Sequence, residues 1–137
     1  MIEELKEKLH EGGYTLAVAK NQDVRFFTGR GISDIYNLYM GDAEFLCGST
    51  IVDKIIGKGA ATVMILAQAK EVYTDVISEN ALDFFKRYDV KVSYGELVPH
   101  IIRRDGKGWC PVELLCRDIG TVEESINAIT QFLNSKK

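Results

Sequence analysis

Lys58 and the two glycines around it form the first group of residues that could do chemistry. Lys58 stands between Gly57 and Gly59, in a stretch that we predict to be the first turns of a long helix. An ammonium flanked by glycines could meet a phosphate or a carboxylate, because glycine lets a ligand approach the backbone closely. Alternatively, Lys58 extends to solvent and the glycines serve a contact between helix and sheet.

Cys110 is the thiol with the clearest chemical potential. It directly precedes Pro111 at the predicted start of a short helix, and a helix N-terminus stabilises a thiolate. Cys110 could therefore act as a nucleophile or as a redox thiol. Glu113 lies in the same first turn, where its negative charge opposes thiolate formation, and a cysteine can also be a small buried apolar residue. Cys116 follows at a spacing that matches no thiol-redox or zinc motif.

A basic segment surrounds the only tryptophan of the chain. Arg103, Arg104 and Lys107 lie close in sequence to Trp109. Cationic side chains beside an aromatic ring could hold a phosphate or stack a base. The alternative is a solvated loop, and the sequence favours that alternative.

Anion contacts could also come from residues in two other turns. Arg30 lies between Gly29 and Gly31, as either an anion contact or a plain turn residue. Ser78 and Glu79 follow a predicted strand and open a predicted helix, where free backbone N–H groups can receive an anion. Simple capping of the helix is the alternative for these two residues.

These candidates are positioned by a regular succession of predicted elements. Apolar residues at helical spacing predict one long helix over residues 51–69, with Thr50 and Asp53 as a capping box. Glycines inside such a helix cost about 1 kcal/mol each, so Gly57 and Gly59 indicate a close backbone approach. The remaining predictions are helices over 2–10, 81–88 and 121–134, a short helix from Pro111, strands over 14–20, 24–28, 71–77 and 90–94, and a short helix followed by a short strand at 45–47 within 32–48.

The bulk composition limits the class of protein. The chain has 137 residues, 46% hydrophobic and 27% charged, which suits a single globular domain over 1–137. A net charge of −3 without a long basic stripe argues against binding to duplex nucleic acid or to an anionic membrane. Three cysteines, no apolar leader segment and no long apolar stretch predict a cytoplasmic protein with reduced thiols.

The predicted order of elements resembles the cytidine-deaminase superfamily. In that superfamily the long helix carries His-x-Glu near its start, and a helix after the next strand opens with Pro-Cys-x-x-Cys. Here the first position is taken by Gly57-Lys58-Gly59-Ala60-Ala61 and the second by Ser78-Glu79-Asn80-Ala81, so the zinc ligands are missing. More narrowly, residues 52–61, 94–103 and 110–113 resemble an uncharacterised prokaryotic family grouped with deaminase-like domains.

The resemblance implies an α/β fold, a three-layer α/β/α mixed sheet like that of cytidine deaminase, and a homodimer. It implies no established activity. We expect no metal and no cofactor, and we expect a binding or regulatory module for a small anionic or nucleotide-like ligand. The ligand-binding candidates are Arg30, Lys58, Ser78, Glu79, Arg103, Cys110 and Glu113. The alternatives are a zinc-independent transferase or hydrolase that uses Cys110 or Lys58, and a structural or partner-binding subunit.

Overall fold

The structure is a computed structural model that describes residues 2–29, 31–103 and 106–135. Helices and strands alternate along most of the chain. In order they are α1 (Ile2–Gly12), β1 (Leu16–Lys20), β2 (Asp23–Phe27), α2 (Ser33–Leu46), β3 (Thr50–Ile56), α3 (Lys58–Leu66), β4 (Glu71–Ser78), α4 (Glu79–Arg87), β5 (Lys91–Val98), α5 (Pro111–Cys116) and α6 (Val122–Ser135).

The strands form a mixed sheet in the order β2-β1-β3-β4-β5. β1 pairs antiparallel with both β2 and β3, whereas β3, β4 and β5 run parallel to one another. Helix α3 connects β3 to β4, and helix α4 connects β4 to β5. Such crossover connections are required between neighbouring parallel strands. The carboxyl ends of the parallel strands therefore lie at one edge of the sheet, together with the start of β1.

Helices cover both faces of the sheet. On one face, Leu5 and Leu9 of α1 pack against Ala17, Ala19 and Val52. The other face contributes to the larger hydrophobic core, which is formed with the apolar sides of α2, α3, α4 and α6. The predicted three-layer α/β/α architecture with a mixed sheet is confirmed. Within the described ranges, no helix combines the length and the apolar character that crossing a membrane requires.

The predicted helix over residues 51–69 is wrong in its first half. Residues Thr50–Ile56 form β3, and α3 begins only at Lys58, with Gly57 as its N-cap. Asp53 therefore lies in a strand, not in a capping box. The segment is rich in β-branched residues, which favour strands, and its apolar residues at 51, 52, 55 and 56 satisfy both a helical stripe and a buried strand.

The segment before β3 also differs from its prediction. Residues 45–47, predicted as a strand, form the end of α2 and the residue after it. α2 is kinked at Asp42, whose backbone has non-helical angles (φ −151°, ψ 60°). Beyond the kink, Phe45 and Leu46 are buried in the main core. These apolar residues, which suggested a strand, therefore form the inner face of the last turn of α2.

Most of the other predicted boundaries are confirmed. The hydroxyl of Ser78 caps α4 by accepting a hydrogen bond from the Ala81 N–H at 3.2 Å. Pro111 opens α5, as a proline in the first turn can. At the start of α6 the hydroxyl of Thr121 accepts from the Glu124 N–H at 3.2 Å. The cap signals in the sequence therefore placed three helices correctly.

Candidate functional site

A cleft of about 690 Å³ opens at the carboxyl end of β3. Its walls come from the residues before β1 and after β2, the starts of α2, α3 and α5, and the segment after β5. Much of the lining is aliphatic: Leu16, Ile32, Ile35, Ile55, Ala60, Ile101, Ile102, Pro111 and Val112. The polar or ionisable side chains in it are Thr15, Thr28, Asp34, Asp53, Lys54, Arg103, Cys110 and Glu113. An apolar cleft with a few convergent polar groups is the usual form of a small-molecule site.

Glu113 holds one side of the cleft together. Its side chain is buried, and its Oε1 accepts hydrogen bonds from the Lys58 N–H at 2.8 Å and the Ser78 hydroxyl at 3.1 Å. Its other oxygen, Oε2, accepts from the Ile101 N–H at 2.7 Å. The carboxylate thus joins the first residue of α3, the N-cap of α4 and the segment after β5. The free N–H groups of a helix start attract an anion, and Glu113 supplies that anion from within the chain.

Gly57 and Gly59 allow this close packing. A Cβ on Gly57 would lie 3.2 Å from Glu113 Oε1 and 3.2 Å from Ile101 Cγ1. A Cβ on Gly59 would lie 2.3 Å from Val112 Cγ1, well inside van der Waals contact. The close backbone approach that the two glycines predicted is therefore confirmed. The glycines lie at the start of α3, where α5 packs against them, and not in the middle of a long helix.

Asp53 and Asp34 contribute two carboxyl groups to the cleft. Burial of Asp53 raises its pKa from 3.8 to about 7, and the nearby charges of Asp34 and Asp75 add to this rise, whereas hydrogen bonds from the backbone oppose it. The Ile55 N–H donates a long hydrogen bond to this side chain, at 3.5 Å. A carboxyl group with a strongly perturbed pKa in a cleft is a candidate functional group.

Lys58 faces away from the cleft. Its ammonium donates hydrogen bonds to the carbonyl oxygens of Arg117 and Ile119, just beyond α5, and lies 4.5 Å from the centre of the Phe84 ring. Burial lowers the pKa of this lysine, whose side chain is almost fully enclosed. The backbone N–H of Lys58 is engaged by Glu113, but its side chain is not among those that line the cleft.

The other predicted contacts fall in different places. Arg103 and Cys110 line the cleft together with Glu113. Ser78 is buried behind Glu113, and Glu79 is exposed at the start of α4, so neither lines the cleft. Arg30 and Arg104 lie outside the described residues. As ligand contacts, all of these residues stay predictions.

Cys110 is partly exposed and forms the N-cap position of α5. Its backbone N–H donates to the Ile101 carbonyl at 2.8 Å, which fixes the thiol at the cleft wall. Cys116 is fully buried at the other end of α5, where burial raises its pKa to about 11. The two thiols therefore have different surroundings, and only Cys110 could meet a ligand in the cleft.

Trp109 makes ring contacts with other side chains. The rings of His100 and Trp109 are stacked with their centres 4.0 Å apart, and the guanidinium of Arg117 lies 5.5 Å from the Trp109 ring centre. Base stacking, the less favoured alternative for this tryptophan, would compete with those contacts. Trp109 is also absent from the cleft lining.

Sequence analysis did not identify Asp34, Asp53 or Lys54 as site residues. Asp53 and Lys54 were assigned to a helix, and Asp34 lies in a segment without a clear pattern. The usable signal was the charged pair Asp53-Lys54 inside a β-branched apolar run, because a buried strand seldom carries charges without a function. Across the described ranges, no three His, Cys, Asp or Glu side chains are grouped closely enough to hold a metal ion.

Comparison with known proteins places the chain in a family. A solved structure, the DUF1893 family protein (TM1506) from Thermotoga maritima, is similar with a TM-score of 0.88 at 25% identity, covering 95% of this chain and 88% of that chain. Acinetobacter baumannii RibD matches with a TM-score of 0.43 at 14% identity, over 58% of this chain and 27% of that chain, which is too distant to bear on function. No curated protein matches the sequence. The model of the family TM1506, described as a domain of unknown function (DUF1893), matches residues 4–133, so the chain belongs to the DUF1893 family.

Proposed function

We propose that this protein binds a small organic ligand in the cleft at the carboxyl end of β3 and serves as a binding or regulatory module. The observation that carries the proposal is the cleft itself, about 690 Å³ of largely apolar lining with a few polar groups directed at one space. Its position also supports the proposal, because ligands of open α/β sheets bind outside the carboxyl ends of parallel strands.

A nucleotide-like ligand fits the distribution of these groups. Its ring would lie among aliphatic side chains such as Ile32, Ile101 and Val112, and its anionic part would face Lys54 and Arg103, the cationic side chains in the lining. Glu113 already accepts from the first N–H group of α3, that of Lys58, and its negative charge disfavours a second anion at this helix start. The negative group of the ligand therefore belongs near Lys54 and Arg103.

A zinc-independent enzyme is the second candidate function. The observation that favours it is that Cys110 and Asp53 line the same cleft, which would bring a potential nucleophile and a titratable carboxyl group to one ligand. Rapid and selective labelling of Cys110 by a thiol reagent at neutral pH would support an enzyme. Labelling of Cys110 no faster than that of the exposed Cys47 would favour a binding module.

The expected oligomer is a homodimer, and a structural or partner-binding subunit is the third candidate. Sedimentation or light scattering measures the oligomeric state directly. We also propose that the protein is cytoplasmic and that residues 1–137 form a single domain.

The test of the proposed function is a screen of nucleotides and related small molecules by protein-observed NMR. Ile55→Trp places a large ring in the cleft, and the matched control Met40→Trp changes a similarly exposed apolar residue elsewhere (52% and 62% exposed). We expect a genuine ligand to lose about tenfold in affinity with Ile55→Trp and nothing with Met40→Trp. Equal affinity for both variants would place binding outside the cleft and contradict the proposal.

A further inference from the structure

We propose that the carboxyl groups of Asp34 and Asp53 hold a cationic, N–H-donating group of the ligand, such as an amidinium or a protonated amine. The inference rests on the proposed function, because it requires that the cleft binds a ligand, and it assigns the chemistry of the ligand's other end. Both residues line the cleft, and the negative charge of Asp34 contributes to the raised pKa of Asp53. A pair of carboxylates recognises a planar or compact N–H donor through charge-assisted hydrogen bonds.

Asp34 is held in place by the turn after β2. Its Oδ2 accepts a hydrogen bond from the Gly29 N–H at 2.8 Å, and a Cβ on residue 29 would lie 2.3 Å from that oxygen. The hydroxyl of Thr15 fixes the same turn by donating to the Gly29 carbonyl at 2.8 Å. Gly29 thus makes room for a carboxylate whose other oxygen has no hydrogen-bond partner in the described ranges and can accept from a ligand.

Asp53 has no ion-pair partner within the described ranges. It is only partly exposed, and the hydrogen bond that it accepts from the Ile55 N–H is long, at 3.5 Å. Desolvation raises its pKa to about 7, so its charged form is disfavoured in the free protein despite the opposing backbone hydrogen bonds. A cationic ligand would supply that compensation.

The remaining charged groups around Asp53 do not replace such a ligand. Asp34 on α2 and Asp75 on β4 are negative and raise its pKa further. Asp75 is itself paired with His10, at 2.7 Å. Glu113 gives both oxygens to hydrogen bonds within the protein. The cationic residues of the lining, Lys54 and Arg103, leave the pKa of Asp53 raised, so they do not offset its charge. The two aspartates are therefore the carboxyl groups in the cleft that remain available to a ligand.

The experiment measures binding of benzamidine and of benzoate, two probes of the same shape and opposite charge, by NMR titration between pH 5.5 and 8.5. We expect benzamidine to bind the wild-type protein and its affinity to fall by about tenfold per pH unit below pH 7, because the cation must displace the proton from Asp53. Asp53→Asn should lower the affinity at pH 8 at least about tenfold and remove the pH dependence.

The matched control is Asp23→Asn, which removes an exposed carboxylate at the start of β2. Asp23→Asn should leave benzamidine affinity and its pH dependence unchanged. If benzamidine does not bind, or binds Asp53→Asn as well as the wild type at pH 8, the inference is wrong. If, in that case, benzoate or a nucleotide binds and Ile55→Trp weakens its binding, only the inference fails and the proposed function stands. If no probe or nucleotide is sensitive to Ile55→Trp, both fail.

Discussion

At the scale of single residues, Glu113 connects three separate parts of the structure around the cleft. In this chain Oε1 of Glu113 accepts from Lys58 at the start of α3 and from Ser78 at the start of α4. A carboxylate of the chain thereby links the two helix starts, and the same residue forms part of the cleft wall.

Removing this carboxylate should destabilise the protein. Glu113→Ala leaves the buried N–H of Lys58 and the N–H of Ile101 without an acceptor, so we expect a loss of about 3 kcal/mol in the free energy of unfolding, measured by urea denaturation. Ser78→Ala removes one of the three bonds to Glu113 and a helix cap, and should cost about 1 to 2 kcal/mol. Glu96→Ala, at an exposed glutamate, is the control and should change stability by less than about 0.5 kcal/mol. Equal stability of Glu113→Ala and Glu96→Ala would refute this structural role.

At the scale of elements, the close contact between α3 and α5 shapes the cleft. Gly59 near the start of α3 faces Val112 of α5, and both residues line the cleft. Any side chain at position 59 must push α5 away or displace Val112. Because Glu113 follows Val112 directly, a shift of α5 also disturbs the three hydrogen bonds that Glu113 accepts.

The contact predicts a compensating pair of substitutions. Gly59→Ala should reduce the free energy of unfolding by about 1 to 3 kcal/mol, despite the higher helix propensity of alanine, because the new methyl group overlaps Val112. Gly59→Ala with Val112→Ala should be more stable than the sum of the two single changes predicts, by at least about 0.5 kcal/mol. Thermal and urea unfolding of the four proteins give this coupling energy, and strict additivity would show that the two residues do not compete for space.

The elements also show how far local sequence patterns determine this fold. Local signals account for capping at Ser78, for Pro111 at a helix start and for the first two strands, and in each case the prediction agrees with the structure. β3 was predicted as helix because its apolar spacing fits both structures, and the decision depends on pairing with β1 and β4, which are distant in sequence. The kink at Asp42 in α2 carried no sequence signal that we recognise.

At the scale of the whole molecule, the cleft is assembled from segments that are far apart in sequence. Cys110, Glu113 and Arg103 were identified from local patterns and do line it, whereas the predicted contact Lys58 turns its side chain to the end of α5. Asp34 at the start of α2 and Asp53 in β3 come to the same cleft only in the folded chain. A site of this kind cannot be derived from spacing along the chain, because its members are brought together by tertiary structure.

The raised pKa of Asp53 also makes the stability of the whole protein depend on pH. In the unfolded chain the carboxyl ionises near pH 3.8, whereas in the folded protein its pKa is about 7. As the pH rises from 4 to 7, the unfolded state loses its proton first and the folded state is penalised; below pH 4 the penalty vanishes, and above pH 7 it is complete. Asp53→Asn carries no charge and should therefore be more stable than the wild type above pH 7.

The expected gain for Asp53→Asn at pH 8 is up to about 4 kcal/mol, since each unit of pKa difference corresponds to about 1.4 kcal/mol. The gain should shrink steadily between pH 7 and pH 4 in urea unfolding series, while the exposed control Asp23→Asn should follow the wild type throughout. Parallel curves for Asp53→Asn and the wild type would mean that the carboxyl ionises normally in the folded protein. A pH-dependent gain would instead mean that the chain keeps, at the expense of its own stability, a carboxyl group that faces the cleft, which is the pattern expected when a residue is retained for binding.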